Sequence, residues 1–215
     1  PIDIFLTGFK KMGARVTVSD RHYHIRAPKG GLRGCNIFFN IVSVTATEAF
    51  MLAAVLAKGR TTLRNAALEP EITDLADFLN ACGARIRGAG TSTIVIDGVK
   101  PLRARGKAHR TMPDRIEAGS FLILAALAGK DLTVTDCEPE HIRILIELLR
   151  DAGVPITEGK TSIRVRGVRK GARFGGFNIR THEYPGFATD LQAPTVVYLT
   201  QATGQSAVFE TIFEN

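Results

Sequence analysis

The longest irregular stretch, Phe177-Asn-Ile-Arg-Thr-His-Glu-Tyr-Pro-Gly-Phe-Ala-Thr-Asp190, is dense in proline, glycine and reactive side chains. Long ordered loops in compact domains are often site loops. Its last residue, Asp190, stands at the mouth of a predicted helix, Leu191–Thr203. A carboxylate there caps the helix, or acts as a general base where a substrate hydroxyl reaches it. Spacing leaves both readings open. A second stretch, Val42-Ser43-Val44-Thr45-Ala46-Thr47-Glu48, runs directly into an apolar helix pattern. Its Ser and Thr suit capping of free N–H groups, and the same N–H groups can hold a phosphate. Two acids, Glu69 and Glu71, open the next helix, Ile72–Cys82, where they suit the helix dipole. In Thr111–Glu117, Asp114 suits an N-cap or first-turn acid, and Arg115 is placed to face an anion. The three cysteines, Cys35, Cys82 and Cys137, lack metal-ligand spacing, so no metal is expected; no cofactor is expected either. Cys82 shares an apolar helix face with Leu75 and Leu79 and reads as a small buried hydrophobe.

The elements that carry these residues repeat. A helix-ending glycine recurs at Gly13, Gly83 and Gly153, each 70 residues after the last. The sequences around it are LTGFKKMGARVTV, LADFLNACGARIRG and LIELLRDAGVPITEG. Helix-face positions match: Phe5, Leu75 and Leu145, then Phe9, Leu79 and Leu149. A second helix repeats as Thr47–Gly59, Ala118–Gly129 and, less regularly, Thr189–Gly204. A fixed period of this size marks a repeated supersecondary unit. The fullest copy lies in Asp114–Val168. It reads helix (Ile116–Leu127), strand (Leu132–Thr135), a helix after Pro139, then strands at Pro155–Thr157 and Ser162–Arg166. Strands are also predicted at Val16–Val18, Tyr23–Arg26, Ile37–Phe39, Thr61–Arg64 and Thr93–Ile96. The helix Ala46–Lys58 is apolar nearly all round, which predicts burial. The chain opens on the second helix of one copy and closes after a strand, Ala207–Phe213, of another. The expectation is a piece of a longer enzyme.

Composition bounds the rest. The chain is 45% hydrophobic and 215 residues long, enough for one large or two small domains. The boundary is expected near Lys107–Thr111. No apolar run reaches the ~18 residues that span a bilayer, so no membrane partner is expected. Sparse, odd cysteines suit a reducing cytoplasm. The net charge of +7 favours anions: nucleic acid, nucleotides or phosphorylated metabolites. The densest basic run, Arg103–Arg110, reads as a solvated linker. With no tryptophan and no aromatics interleaved in that run, a single-strand stacking platform is not expected, and neither is nucleic acid as a partner.

Several segments together resemble the UDP-N-acetylglucosamine 1-carboxyvinyltransferase family. They are Pro1-Ile2-Asp3-Ile4, Asn65-Ala-Ala-Leu-Glu-Pro-Glu-Ile72, Pro113-Asp-Arg-Ile-Glu117, Tyr184-Pro-Gly-Phe-Ala-Thr-Asp-Leu-Gln-Ala193 and Glu210-Thr-Ile-Phe-Glu-Asn215. The resemblance covers essentially the whole chain. It implies an α/β fold, an inside-out α/β barrel of repeated βαβαββ units. Residues 1–108 would be the later part of one domain and 109–215 the first part of a second, with the site in the cleft between them. It implies transfer of the enolpyruvyl group of phosphoenolpyruvate to the 3-hydroxyl of UDP-N-acetylglucosamine, with release of phosphate, early in peptidoglycan synthesis.

By the same resemblance, Asp190 matches the acid at the sugar 3-hydroxyl and Ile212 a backbone contact to the UDP-sugar. Pro1, Ile2, Asp3 and Ile4 match the segment at the uracil, and Val42, Ser43 and Val44 the segment at the diphosphate. Glu69 and Arg115 match positions near the cleft. The family's mobile loop, which carries a catalytic Cys or Asp, would end just before Pro1, and none of the three cysteines matches it. Further segments of the same enzyme would lie at both ends, so residues 1–215 alone are expected to be inactive. Ile41 stands where Lys is common, Thr45 where Gly is usual, Leu68 for an Arg and Ala188 for a Pro. Two other readings remain: the sister enzyme acting on shikimate 3-phosphate, and a non-catalytic RNA-binding protein built from the same repeat.

Overall fold

The computed structural model describes residues 2–104, 106, 108–128, 131–166 and 173–213. Pro1, Glu214, Asn215 and part of the Arg169–Gly176 loop lie outside them. The chain folds as two units, Pro1–Thr111 and Met112–Asn215.

The first unit begins with α1 (Asp3–Lys11) and a hairpin of β1 (Arg15–Ser19) and β2 (His22–Arg26). The hairpin turns on Asp20 and Arg21, both with positive φ (50° and 62°). That is the backbone a two-residue hairpin loop needs to match strand twist, here met without glycine. A complete βαβαββ unit follows: β3 (Asn36–Phe38), α2 (Val44–Ala54), β4 (Arg60–Arg64), α3 (Pro70–Ala81), β5 (Ile86–Arg87) and β6 (Thr93–Asp97). Its sheet has the order β3-β4-β6-β5. The β3–β4 pair is parallel across α2, and the other pairs are antiparallel.

The second unit holds α4 (Arg115–Ala128), β7 (Leu132–Thr135), a 3₁₀ turn at Pro139–Ile142, α5 (Arg143–Asp151), β8 (Ile156–Glu158) and β9 (Ser162–Val165). These strands form a β7-β9-β8 sheet. Then β10 (Ile179–Arg180), a 3₁₀ turn at Thr189–Leu191, α6 (Gln192–Gln201) and β11 (Val208–Phe209) repeat the start of the motif. The β10–β11 pair is parallel, as β3–β4 is.

The repeat holds at the level of single hydrogen bonds. Gly13, Gly83 and Gly153 adopt φ of 89°, 105° and 93°. Each donates its N–H three residues back, to Lys10, Asn80 and Arg150, and the next residue donates to Phe9, Leu79 and Leu149. Ala14, Ala84 and Val154 bury themselves beside the last turn. This is the same left-handed glycine cap three times.

Each unit has its own core. In the first, Phe50 of α2 is fully buried among Phe5, Phe9 and Phe39. Gly8 of α1 lies so close that a Cβ there would stand 2.1 Å from the Phe50 ring. In the second, the spacing of Ile142, Leu145, Ile146 and Leu149 puts all four on the buried face.

Some expectations are corrected. The helix expected at Ala46–Lys58 spans Val44–Ala54 and is not buried all round: Leu52 is 51% exposed. Its apolar circumference exceeds what one face of sheet and neighbouring helices covers within the unit. Cys82 is half-buried at the C-cap of α3, because the helix ends there; the buried cysteine is Cys137. The described residues of the Arg103–Arg110 run are exposed, as a solvated linker requires, with two anchors: the Arg103 N–H donates to the Cys82 carbonyl, and His109 Nε2 sits 3.2 Å from Asp74 and edge-on to Phe78. The closing strand is Val208–Phe209 rather than Ala207–Phe213, since a turn begins at Glu210.

Candidate functional site

In the first unit, Ser43 is the N-cap of α2: its Oγ accepts from the Ala46 N–H at 3.2 Å. The other first-turn N–H groups have no carbonyl four residues back. This end of α2 is locked from two sides. Thr47 Oγ1 donates to the Ser43 carbonyl and accepts from the Ala67 N–H. Asn65, at φ 57°, donates from Nδ2 to the Phe39 carbonyl. The Asn65–Glu71 stretch thus braces Val42, Ser43 and Val44. Glu69 is buried and precedes Pro70, the first residue of α3. Nearby, Glu48 has its carboxyl pushed up, by burial first and then by Glu71 and Glu69. The Val42–Val44 end of α2 is therefore an N–H-rich turn with acids close to it. Ile2 and Asp3 are exposed at the start of α1, and Ile4 packs partly on the core. Pro1 lies outside the described residues.

In the second unit the Phe177–Asp190 loop is ordered by its own backbone and by α4. The His182 N–H donates to the Phe187 carbonyl, and Gly186 to Glu183. The Arg115 guanidinium lies 5.8 Å from the centroid of the Tyr184 ring. Asp114 Oδ1 accepts from the N–H groups of Ile116 and Glu117, so it is the cap of α4. Gly119 of α4 faces Leu191, which is buried; a Cβ at 119 would lie 2.9 Å from the leucine side chain. That close approach seats the turn Thr189–Leu191.

Asp190 is exposed on this turn. It is not a cap: Ala188 occupies the N-cap position, with no side-chain cap bond. Among the described residues the Asp190 carboxylate enters no hydrogen bond or ion pair. The neighbouring Thr189 hydroxyl donates to Glu210 Oε2 at 2.8 Å. Glu210 Oε1 accepts from Thr181 Oγ1 at 2.8 Å, from the Ile212 N–H at 2.6 Å and from the Phe213 N–H at 3.1 Å. Thr181 is fully buried and also accepts from the Thr211 N–H. Desolvation works against ionising Glu210. The hydrogen bonds from Ile212, Thr189, Thr181 and Phe213 outweigh it and hold the carboxyl at about 2. Ile212 is partly exposed; its N–H is engaged by Glu210, which leaves its carbonyl for any backbone contact to a ligand.

The structure thus brings Asp190 and Ile212 to one cluster, through Thr189 and Glu210. Glu210, Thr181 and Thr189 are absent from the candidates drawn from sequence. A glutamate that bonds N–H groups two and three residues ahead mimics an Asx turn, but nothing in its spacing separates it from a surface acid. Among the described residues no group of His, Cys, Asp and Glu could hold a metal, and no helix is long and apolar enough to cross a membrane.

Comparison with known proteins follows the same lines. The family model described as EPSP synthase (3-phosphoshikimate 1-carboxyvinyltransferase) matches residues 1–215. A UDP-N-acetylglucosamine 1-carboxyvinyltransferase from Solibacter usitatus is 50% identical over 216 residues, across 100% of this chain and 50% of its own length. A UDP-N-acetylglucosamine 1-carboxyvinyltransferase 1 from Caldanaerobacter subterraneus subsp. tengcongensis is 46% identical, also across 100% of this chain and 50% of its own. The chain spans about half the length of these curated relatives. The enolpyruvyl transferase NikO from Streptomyces tendae superposes with a TM-score of 0.79 at 22% identity, over 99% of this chain and 53% of that one. The EPSP synthase of Acinetobacter baumannii superposes at 0.62 and 21% identity, over 97% of this chain and 48% of that one. The fold is therefore that of the enolpyruvyl transferases, an α/β architecture of repeated βαβαββ units, and the chain belongs to the EPSP synthase (3-phosphoshikimate 1-carboxyvinyltransferase) family.

Proposed function

We propose that this chain carries residues of the nucleotide-sugar site of an enzyme that transfers the enolpyruvyl group of phosphoenolpyruvate to the 3-hydroxyl of UDP-N-acetylglucosamine, in peptidoglycan synthesis in the cytoplasm. The observation that carries the reading is the exposed Asp190 carboxylate, unengaged among the described residues and set on a braced turn beside the Ile212 turn. The names of the relatives at 50% and 46% identity support the UDP-sugar over shikimate 3-phosphate.

In this reading Asp190 takes the proton of the sugar 3-hydroxyl as that oxygen bonds to C2 of phosphoenolpyruvate. An acid from a segment beyond residues 1–215 protonates C3, giving a tetrahedral ketal. The 3-oxygen stays on C2, a proton leaves C3, the C–O bond to phosphate breaks and the enol ether forms. General-base help of this kind contributes ~10²–10⁴-fold. In the second unit the Ile212 carbonyl is assigned as a contact to the UDP-sugar; in the first unit, taken by itself, the N–H-rich start of α2 at Val42, Ser43 and Val44 suits a diphosphate, and Ile2, Asp3 and Ile4 match a uracil segment. Glu69 lies buried at the start of α3, and Arg115 packs over the Tyr184 ring. Cys137 is buried, and burial first raises its thiol, which suits packing rather than chemistry.

The test is calorimetric titration with UDP-N-acetylglucosamine, uridine diphosphate and shikimate 3-phosphate, followed by Asp190→Asn in an intact enzyme carrying these residues. The expected results are saturable binding that prefers the UDP-sugar, and turnover lowered ~10²-fold or more with sugar affinity kept within ~tenfold. Preference for shikimate 3-phosphate, or near-normal turnover of the Asn variant, contradicts the reading.

A further inference from the structure

We propose that Glu210 is a positioning residue for this reaction: its carboxylate fastens the turn bearing Asp190 to the turn bearing Ile212, so that base and sugar contact move as one body. The inference rests on the nucleotide-sugar reading above.

The two turns are far apart in sequence. The Thr189–Leu191 turn precedes α6, and the Glu210–Phe213 turn follows β11. They share β10 and β11 as a base, but that parallel pair is only two residues long on each side. A two-residue ladder does not by itself fix the relative placement of loops at its end. Glu210 supplies what the ladder lacks. One oxygen, Oε2, reaches the Asp190 side through the Thr189 hydroxyl, at 2.8 Å. The other, Oε1, closes the Ile212 side through two N–H groups and draws in Thr181 from the end of β10. Four donors converge on one ionised carboxylate, and bonds to a charged acceptor are about twice as strong as neutral ones. Leu191, on the other flank of Asp190, is pressed against Gly119 of α4. Asp190 is thus held on one side by packing and on the other by Glu210, while its own carboxylate stays open. A base must sit within hydrogen-bond reach of the hydroxyl it deprotonates, and small misplacements of such groups lower rate steeply.

The arms can be cut separately. Thr189→Val removes only the bond toward Asp190 and keeps the shape of the side chain. Glu210→Gln keeps an acceptor for the turn N–H groups but loses the charge and one acceptor. In an intact enzyme carrying these residues, kcat, KM and affinity for UDP-N-acetylglucosamine are measured for each variant, with melting temperature as the folding control. Thr189→Val should lower kcat at least ~tenfold, ~1.4 kcal/mol of barrier, with the enzyme still fully folded at the assay temperature and with sugar affinity within ~threefold (~0.65 kcal/mol). Glu210→Gln should lower kcat and weaken sugar binding together. The double variant should be no slower than Glu210→Gln, because both cut one connection. A purely structural role would lower melting temperature without this split between kcat and affinity. Thr189→Val with kcat above a tenth of the parent, in an enzyme that Asp190→Asn inactivates, overturns the proposal. A parent that does not bind the UDP-sugar, or an active Asp190→Asn, sinks the nucleotide-sugar reading instead, and the role of Glu210 with it.

Discussion

Glu210 shows how one side chain sets the chemistry of its neighbours. Its carboxyl lies at about 2 against an ordinary 4.5, because four donors stabilise the anion. The folded value is the lower one. The turn therefore gains stability that is present above about pH 4.5 and is lost as pH falls toward 2. The N–H resonances of Ile212 and Phe213 should follow that titration, with a midpoint near 2. A midpoint near 4.5 would mean that the bonds do not hold in solution. Asp190, one residue from Thr189, stays exposed and unengaged throughout this network. The candidate base and the strongly bonded acid are thus different residues with different tasks. Sequence reading finds Asp190 through its loop and the resemblance, but not Glu210. Proline, glycine and helix-start patterns are local signals, whereas the partners of Glu210 come from Thr181 and Thr189, which only the fold brings near.

At the scale of elements, the repeat is the most legible feature. Three glycines at equal spacing foretell three identical helix ends, because a left-handed position excludes most side chains at no matter what depth. Amphipathic α5 and the turn before it are equally plain, since the apolar spacing and the buried face are the same four residues, Ile142 on the turn and Leu145, Ile146 and Leu149 on the helix. Helices α2 and α4 are less so. Both are apolar nearly all round, yet Leu52 on one and Phe121 and Leu124 on the other are about half exposed. A pattern without a polar face cannot say which side a neighbour covers. What sequence also hides is closeness of approach. Gly8 sits mid-helix, where glycine costs ~1 kcal/mol against alanine, so alanine would stabilise an open site. Here it meets the Phe50 ring instead, with the Cβ at 2.1 Å. Gly8→Ala should destabilise the first unit by ~1–3 kcal/mol through overpacking, and Phe50→Leu in the same chain should recover part of that loss. Thermal melts of the three chains check it; a Gly8→Ala chain as stable as its parent contradicts the packing.

Across the whole molecule, two units carry copies of one motif at different stages of completeness. The 36–97 copy has all six elements and its own four-stranded sheet, while β10–α6–β11 has the first three. The parallel pair that opens each motif has a consequence in time rather than in space. The β1–β2 hairpin zips across a two-residue turn, which closes within microseconds. The β10–β11 pair must instead bring Thr181 to Phe209, 28 residues on, with a helix in between. Entropy is spent on that closure before any contact rewards it. In a refolding chain followed by pulsed hydrogen exchange, protection should reach the Thr181 amide after those of the β5–β6 ladder. The Asp190 and Ile212 turns stand on the late-forming pair, so the candidate site should be among the last parts of the second unit to take shape.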